Sequence, residues 1–145
     1  MRILTASLLL GLSSVAIAQE AIPDLRGTWI GKSKAVVFGH NQYHPGGQKL
    51  GEPPRVREVE FTIRIDGQDG RVLWGEAWAS ANPEAKDTLA LAIAADGKTI
   101  IGADNDGAHY MTIVDPDHIE RCYAHPGISP SGSLVAACGA FERIK

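Results

Sequence analysis

Five polar side chains that could together bind or transform a small molecule are spread over four short segments of this chain. They are Glu76, Asp104, His109, Arg121 and Tyr123. Two tryptophans, Trp74 and Trp78, flank the glutamate at alternate positions. Small-molecule pockets combine apolar walls with a few oriented polar groups. Indole faces beside these groups therefore suit a small, polar, ring-bearing ligand.

Other chemistry is less well supported by the residues. No Ser-His-Asp order, phosphate loop or cofactor fingerprint occurs, so we expect no catalytic residues of those classes and no cofactor. His40 and His44 with His109 could hold a metal, but no carboxylate or Cys completes a set, so we expect none. Asp104-Asn105-Asp106-Gly107 begins like a calcium loop. It lacks the glutamate at the twelfth position and fits a turn instead.

The elements that must position these groups are short alternating segments separated by turn residues. Asp-Gly pairs, as at Asp96-Gly97 and Asp106-Gly107, are strong hairpin signals between such segments. The predicted strands are 28–38, 57–65, 71–80, 88–94, 99–104, 108–114, 118–124 and 134–143. This pattern predicts an all-β fold, a single eight-stranded antiparallel up-and-down barrel that can hold one small ligand.

Turn lengths predict which side chains face the barrel interior. A two-residue turn pairs residues whose numbers have an odd sum, and a bulge would flip a strand. On this basis Trp74, Glu76 and Trp78 share the inner face with Phe61 and Ile63. The later strands then contribute Leu89, Leu91, Ile93, Ile100, Gly102, Asp104, His109, Met111, Ile113, Ile119, Arg121 and Tyr123.

Cys122 and Cys138 form an even pair, which in an oxidising compartment is most simply a disulfide. If they lie opposite each other, Ile119 pairs with Phe141 and both cysteines lie on the outer face. This arrangement agrees with the predicted faces without adjustment. Such a disulfide contributes about 2–4 kcal/mol to stability.

Strand direction predicts that the two ends of the barrel differ. One end collects apolar residues. The other collects Trp78, Asp104, His109 and Tyr123, with Glu76 and Arg121 one layer below. The Gly- and Pro-rich stretch 39–54, which carries Tyr43 and His44, crosses over the polar end. We therefore expect ligand contacts from the polar set and both tryptophans, beneath Tyr43 and His44. A filled barrel in which Glu76 and Arg121 neutralise each other is the alternative.

The chain resembles the calycin group, which comprises lipocalins, fatty-acid-binding proteins and avidins. The resemblance rests on Gly27-Thr28-Trp29 in the first strand, Arg143 near the end of the last, the eight-strand order and the long first loop. It implies a lipocalin- or avidin-like barrel with a pocket, closed at one end by Trp29 and Arg143. The biotin-contacting pattern of avidins and the second and third lipocalin motifs are absent, so no particular ligand is implied.

The first eighteen residues have the pattern of a cleaved signal peptide. Arg2 is followed by an apolar stretch and by Ala16-Ile17-Ala18, so we expect cleavage before Gln19 and one barrel domain over 19–145. The apolar stretch is too short to span a bilayer. Export implies a periplasmic or secreted bacterial protein. Losing Arg2 changes the formal charge from −3 to −4, which argues against nucleic-acid and anionic-membrane partners.

These observations predict a secreted, non-catalytic barrel that binds a small molecule. One alternative is a small barrel enzyme, lyase- or isomerase-like, that uses Tyr123, Arg121 and Glu76. Another is a periplasmic protease inhibitor whose N-terminal segment 19–23 enters the protease, although the cysteine pair lies at the wrong end of the chain for that family. The ligand's identity and the oligomeric state are left open.

Overall fold

Over the residues that the structure describes, eight antiparallel strands close into one barrel, as predicted. The structure, a computed structural model, describes residues 22–39, 53–126 and 133–145. The strands are β1 (Gly27–Phe38), β2 (Arg55–Asp69), β3 (Val72–Ala79), β4 (Asp87–Ile93), β5 (Thr99–Ala103), β6 (Ala108–Asp115), β7 (His118–His125) and β8 (Leu134–Ile144). Each strand pairs with the next, and β8 pairs with β1. This closed meander is the architecture that the calycin resemblance implied. The predicted signal peptide lies outside the described residues, as do Tyr43 and His44.

The first strand closes the barrel because it pairs along its length with β2 on one side and with β8 on the other. Trp29 lies opposite Ile63 of β2 on one side and Arg143 of β8 on the other. Closing the sheet in this way satisfies the backbone hydrogen-bonding groups that an edge strand would expose. The closure also brings the two ends of the domain together at the Trp29 end of the barrel.

A bulge in β2 reverses the predicted face of β3. The turn between these strands pairs Asp69 with Val72, but the register shifts between Ile65 and Gly67, so that Ile65 lies opposite Gly75. One extra residue moves every side chain of a strand to the other face. The prediction that Trp74, Glu76 and Trp78 face the interior is therefore wrong. Leu73 and Ala77 fill the barrel instead, at 2% and 3% exposure, whereas Trp74 is 50% exposed.

Contacts on both sides of the sheet accompany this bulge. A Cβ atom on Gly67 would overlap the indole of Trp74, so the glycine leaves room for that ring on the outer face. The next residue, Gln68, donates from its side-chain amide to the carbonyl of Pro23 at 2.9 Å and accepts from the amide of Leu25 at 2.9 Å. The bulge thus fastens the segment before β1 to the barrel.

A second irregularity leaves the predicted faces of β4 to β8 correct. The β6–β7 turn pairs Asp115 with His118, and a shift in register follows, so that Ile113 lies opposite Ile119. A two-residue turn with a bulge has replaced the three-residue turn that the sequence suggested, and the two give the same pairing. Ile100, His109, Met111, Ile119 and Arg121 are accordingly buried.

The last hairpin carries the predicted disulfide. Cys122 of β7 lies opposite Cys138 of β8, and the two are bonded to each other. The predicted pairing of Ile119 with Phe141 is also confirmed. Phe141 is fully buried in the interior, which agrees with the cysteines lying on the outer face.

Large side chains fill the end of the barrel where β1 begins. Trp29 is fully buried and donates from its indole nitrogen to the carbonyl oxygen of Leu25 at 3.0 Å. The guanidinium carbon of Arg143 lies 4.6 Å from the centre of the Trp29 ring. Arg143 also donates to the carbonyl oxygens of Asp24 at 2.6 Å and Arg26 at 3.1 Å. This end is therefore sealed by an aromatic ring, a stacked cation and the segment before β1.

Across the described ranges, no helix has the length and apolarity that a membrane crossing requires.

Candidate functional site

A cavity of about 80 Å³ occupies the end of the barrel opposite Trp29. Its walls consist mainly of small apolar side chains on the inner faces of several strands and on the segment between β3 and β4. These are Ala35, Val59, Ala77, Ala79, Ala85, Val135 and Ala137, joined by Phe61. Closed small barrels are normally filled by their own side chains. The space exists because alanines stand at this end, where the other end has Trp, Phe, Leu and Ile.

Polar and charged groups surround the same cavity. The polar lining residues are Ser33, Arg57, Asn82, Asp87, Asp104, Asp106, Arg121 and Tyr123. Three of the predicted site residues, Asp104, Arg121 and Tyr123, are therefore brought together here. His109 is buried directly beside them, with its ring centre 5.0 Å from that of Tyr123. The cavity thus combines an apolar wall with a small set of converging polar groups, as binding pockets do.

Asp104, His109 and Arg121 form a hydrogen-bonded chain. The Nε–H group of Arg121 donates to Nδ1 of His109 at 2.9 Å. A guanidinium can only donate, so Nδ1 is the acceptor and the ring proton belongs on Nε2. That nitrogen lies 2.8 Å from Oδ2 of Asp104 and donates to it. His109 is therefore a neutral imidazole that connects a carboxylate to a cation.

Burial and neighbouring charges keep this chain in one protonation state. Burial lowers the pKa of His109, the hydrogen bond to Asp104 opposes this, and the charge of Arg121 lowers the pKa further, for a net decrease. Burial acts to raise the pKa of Asp104, but the hydrogen bonds from His109 and from the amides of Asp106 and Gly107 produce a net decrease. Asp104 thus stays ionised and His109 stays neutral at pH 7.

Arg121 is a buried cation among aromatic rings. It is 3% exposed, and its guanidinium carbon lies 5.1 Å from the ring centre of Phe61, 5.2 Å from Tyr123 and 5.8 Å from Phe141. Burial lowers its pKa to about 10, so the group remains charged at neutral pH. Within the described parts of the chain, no carboxylate oxygen lies within 4.0 Å of it.

Two further titratable groups respond to this environment. Burial, followed by the charges of Asp104 and Asp106, raises the pKa of Asp87 to about 6. Burial also raises the pKa of Tyr123, and the same carboxylates add to the increase. Tyr123 is therefore a neutral phenol, whereas Asp87 changes charge near neutral pH.

Glu76 and the two tryptophans lie on the outer surface, away from the cavity. Glu76 accepts from Arg64 at 2.8 Å and lies 3.5 Å from the ammonium group of Lys86. That ammonium group is 4.8 Å from the centre of the Trp78 ring. Glu76 consequently cannot neutralise Arg121 inside the barrel, which removes the filled-barrel alternative in the form that the sequence suggested.

Sequence reasoning missed three charged lining residues, and two of them had a usable signal. Arg57 follows the same alternation as Phe61 along β2, and Asp87 follows that of Leu89 along β4. Continuing the inner-face alternation toward the start of β2 and of β4 would have included both residues. Asp106 belongs to the turn between β5 and β6, where alternation gives no direction.

The described residues bring no three His, Cys, Asp or Glu side chains together in a way that could hold a metal ion.

Comparison with known proteins yields distant similarities in structure. No protein-family model and no curated protein matches this chain. An S-type phycobiliprotein lyase, CPES, from Guillardia theta matches at 12% identity and a TM-score of 0.37, covering 83% of this chain and 88% of that one. A protein of unknown function from the DUF3598 family of Nostoc punctiforme PCC 73102 matches at 13% identity and a TM-score of 0.44, covering 92% of this chain and 54% of that one. Both TM-scores are below 0.5, so the site is interpreted from its own geometry.

Proposed function

We propose that this chain is a secreted or periplasmic barrel that binds one small molecule without transforming it. The observation that carries the proposal is the alanine-walled cavity with Asp87, Asp104, Arg121 and Tyr123 around it. An apolar ring or short chain among the alanines would be removed from water, while the polar groups would orient the rest of the molecule. His109 supports the site from behind by holding Arg121.

The size of the cavity limits the ligand. Drug-sized ligands occupy pockets of about 300–1,000 Å³, whereas this cavity measures about 80 Å³. It accommodates a single ring or a short branched chain, with any remaining atoms at the open end. The roles predicted for Tyr43 and His44 at that end stay predictions, as does the signal peptide that underlies export.

The enzyme alternative loses one of its three residues. It required Glu76 beside Tyr123 and Arg121, and Glu76 lies outside the barrel in an ion pair with Arg64. Tyr123 is a partly buried neutral phenol and His109 is held between two partners, so neither is arranged as a strong base. This arrangement favours binding over proton abstraction.

The test is a titration of the isotope-labelled mature protein with benzamide, a neutral one-ring probe, followed by amide chemical shifts. We expect shifts at inner-face residues such as Ala35 and Ala137. In the variant Ala77→Leu, which fills the cavity, these shifts should be lost. The control Ala90→Leu adds the same atoms at an exposed position on β4 and should bind like wild type.

Two outcomes would overturn the proposal. One is that no ring probe, neutral or charged, shifts the inner-face residues. The other is that Ala77→Leu binds as well as Ala90→Leu does. Conversion of a co-purified ligand by wild type but not by Tyr123→Phe would show that the barrel is an enzyme.

A further inference from the structure

Arg121 is a buried cation that forms no direct ion pair with any carboxylate in the part of the chain that the structure describes. It is 97% buried, since its exposure is 3%, and it lines the cavity. Its Nε–H group donates a hydrogen bond to His109, which is a neutral partner. In the described ranges, neither Asp87 nor Asp104 comes within 4.0 Å of the guanidinium, although both lie near enough to affect its pKa.

Burying a cation in this way is costly. Removing a charge from water is unfavourable unless an opposite charge or several hydrogen bonds replace the lost hydration. The rings of Phe61, Tyr123 and Phe141 compensate in part through their contacts with the guanidinium. They cannot accept the hydrogen bonds of its terminal nitrogens as an anion would.

We propose that the ligand of this cavity carries a carboxylate, which pairs with the terminal nitrogens of Arg121 while its apolar part lies among the alanines. This inference rests on the proposed function and names its ligand class. The planar guanidinium forms two parallel hydrogen bonds with a carboxylate, and Nε is already used by His109. The two terminal nitrogens are therefore the part of the group left for a ligand.

The surrounding carboxylates favour a singly charged anion. Asp87, Asp104 and Asp106 line the same cavity, and among the described lining residues Arg57 adds a second positive charge. A phosphate with two negative charges would be repelled more strongly by these groups than a carboxylate would. Asp104 already accepts hydrogen bonds from His109 and two backbone amides, so it does not compete for Arg121.

His109 is a positioning residue in this scheme. Its Nδ1 accepts from Arg121 while its Nε2 donates to Asp104, which fixes the plane of the guanidinium without adding a charge. A glutamine at this position cannot hold both partners in the same geometry. His109→Gln should therefore weaken carboxylate binding more than it weakens the binding of a neutral ring.

Carboxylate binding should take up a proton at Asp87. This group faces Asp104, Asp106 and Arg121 across the cavity, and its pKa is already raised to about 6. A further negative charge nearby raises it more, so the complex holds more protons than the free protein. Affinity for a carboxylate should increase as the pH falls from 7.5 to 5.5, and Asp87→Asn should flatten this dependence.

The experiment compares three probes of one ring size, namely benzoate, benzamide and benzylammonium, by chemical-shift titration of the mature protein. We expect benzoate to bind about tenfold or more tightly than benzamide, since a charge-assisted pair replaces a neutral contact. Benzylammonium should bind weakest. The variant Arg121→Met keeps most of the side-chain length and should lose the preference for benzoate over benzamide.

Each outcome separates this inference from the proposed function. If benzamide or benzylammonium binds in the cavity as tightly as benzoate, the carboxylate assignment is wrong and the binding barrel stands. If no probe reaches the cavity, the proposed function itself fails. If Arg121→Met does not fold, the order of the three probes on wild type and the pH dependence of benzoate binding to Asp87→Asn still decide the question.

Discussion

Replacing Trp29 with alanine should destabilise the barrel far more than the same change at Trp74. Trp29 is fully buried, whereas Trp74 is 50% exposed. The comparison separates the predicted register from the observed one, because the sequence pattern predicted both rings in the interior. It therefore tests the bulge in β2, on which the position of every β3 side chain depends.

The magnitude follows from the contacts of Trp29. Truncating a buried Trp to Ala costs about 3–5 kcal/mol. The lost indole hydrogen bond to Leu25 and the lost stacking of Arg143 bring the expected total to about 4–6 kcal/mol. Trp74 covers Gly67 from the solvent side, so its removal leaves no closed cavity and should cost about 1–2 kcal/mol.

Urea denaturation followed by far-UV circular dichroism, with the disulfide intact, measures the loss in free energy of unfolding for each variant. In thermal unfolding, a domain of this size should lose about 3–5 °C in Tm per kcal/mol, so Trp29→Ala should melt about 10–20 °C below Trp74→Ala. Trp29→Phe, which keeps a ring but removes the donor to Leu25, should cost about 2 kcal/mol. It gives a folded variant if Trp29→Ala does not fold. Equal losses at Trp29 and Trp74 would refute the assigned register.

Three further predictions concern the disulfide and the cavity. Replacing Cys122 and Cys138 with alanine should cost about 3 kcal/mol in urea denaturation, because the bond closes a loop with a sequence separation of 16. Ala77→Leu should leave the free energy of unfolding unchanged or raise it by at most about 2 kcal/mol, while ligand binding is lost. A lower Tm would mean that the cavity cannot accommodate the leucine side chain. The folded-state pKa of Asp87, about 6 against 3.8, means that its contribution to stability falls as pH rises from about 4 to 6. Asp87→Asn should therefore gain in Tm over wild type at pH 7 and not at pH 4, as thermal unfolding at both pH values would show.

The faces of β4 to β8 could be read from the sequence because several independent signals agreed. The cysteine pair placed Ile119 opposite Phe141, which the structure confirms, and this pairing agreed with the faces that alternation and the Asp-Gly turns predicted. The prediction even survived a wrong turn length between β6 and β7, since a bulge after the shorter turn restored the register. Agreement among short-range signals is what makes a register predictable.

The face of β3 could not be predicted, because one inserted residue changed it. The shift between Ile65 and Gly67 reverses the faces of all β3 side chains. The alternation from Leu73 to Trp78 is compatible with either face inward, because the indole of Trp74 can lie over Gly67 on the outer surface. The bulge is accompanied by the attachment of Gln68 to the segment before β1. That contact joins residues more than forty positions apart, so no local pattern contains it.

By itself, the sequence determined the strand order, the disulfide and the sorting of His109, Arg121 and Tyr123 to one polar end. These features depend on residues that are close along the chain or on the two-residue alternation of side chains in a strand, and both can be read from the sequence. Only the closed barrel decided that Arg121 would meet His109 rather than Glu76, and that the alanines of separate strands would leave a cavity. Both depend on which side chains face each other across the interior. That pairing is set once β8 closes on β1 and the bulge has fixed the face of β3.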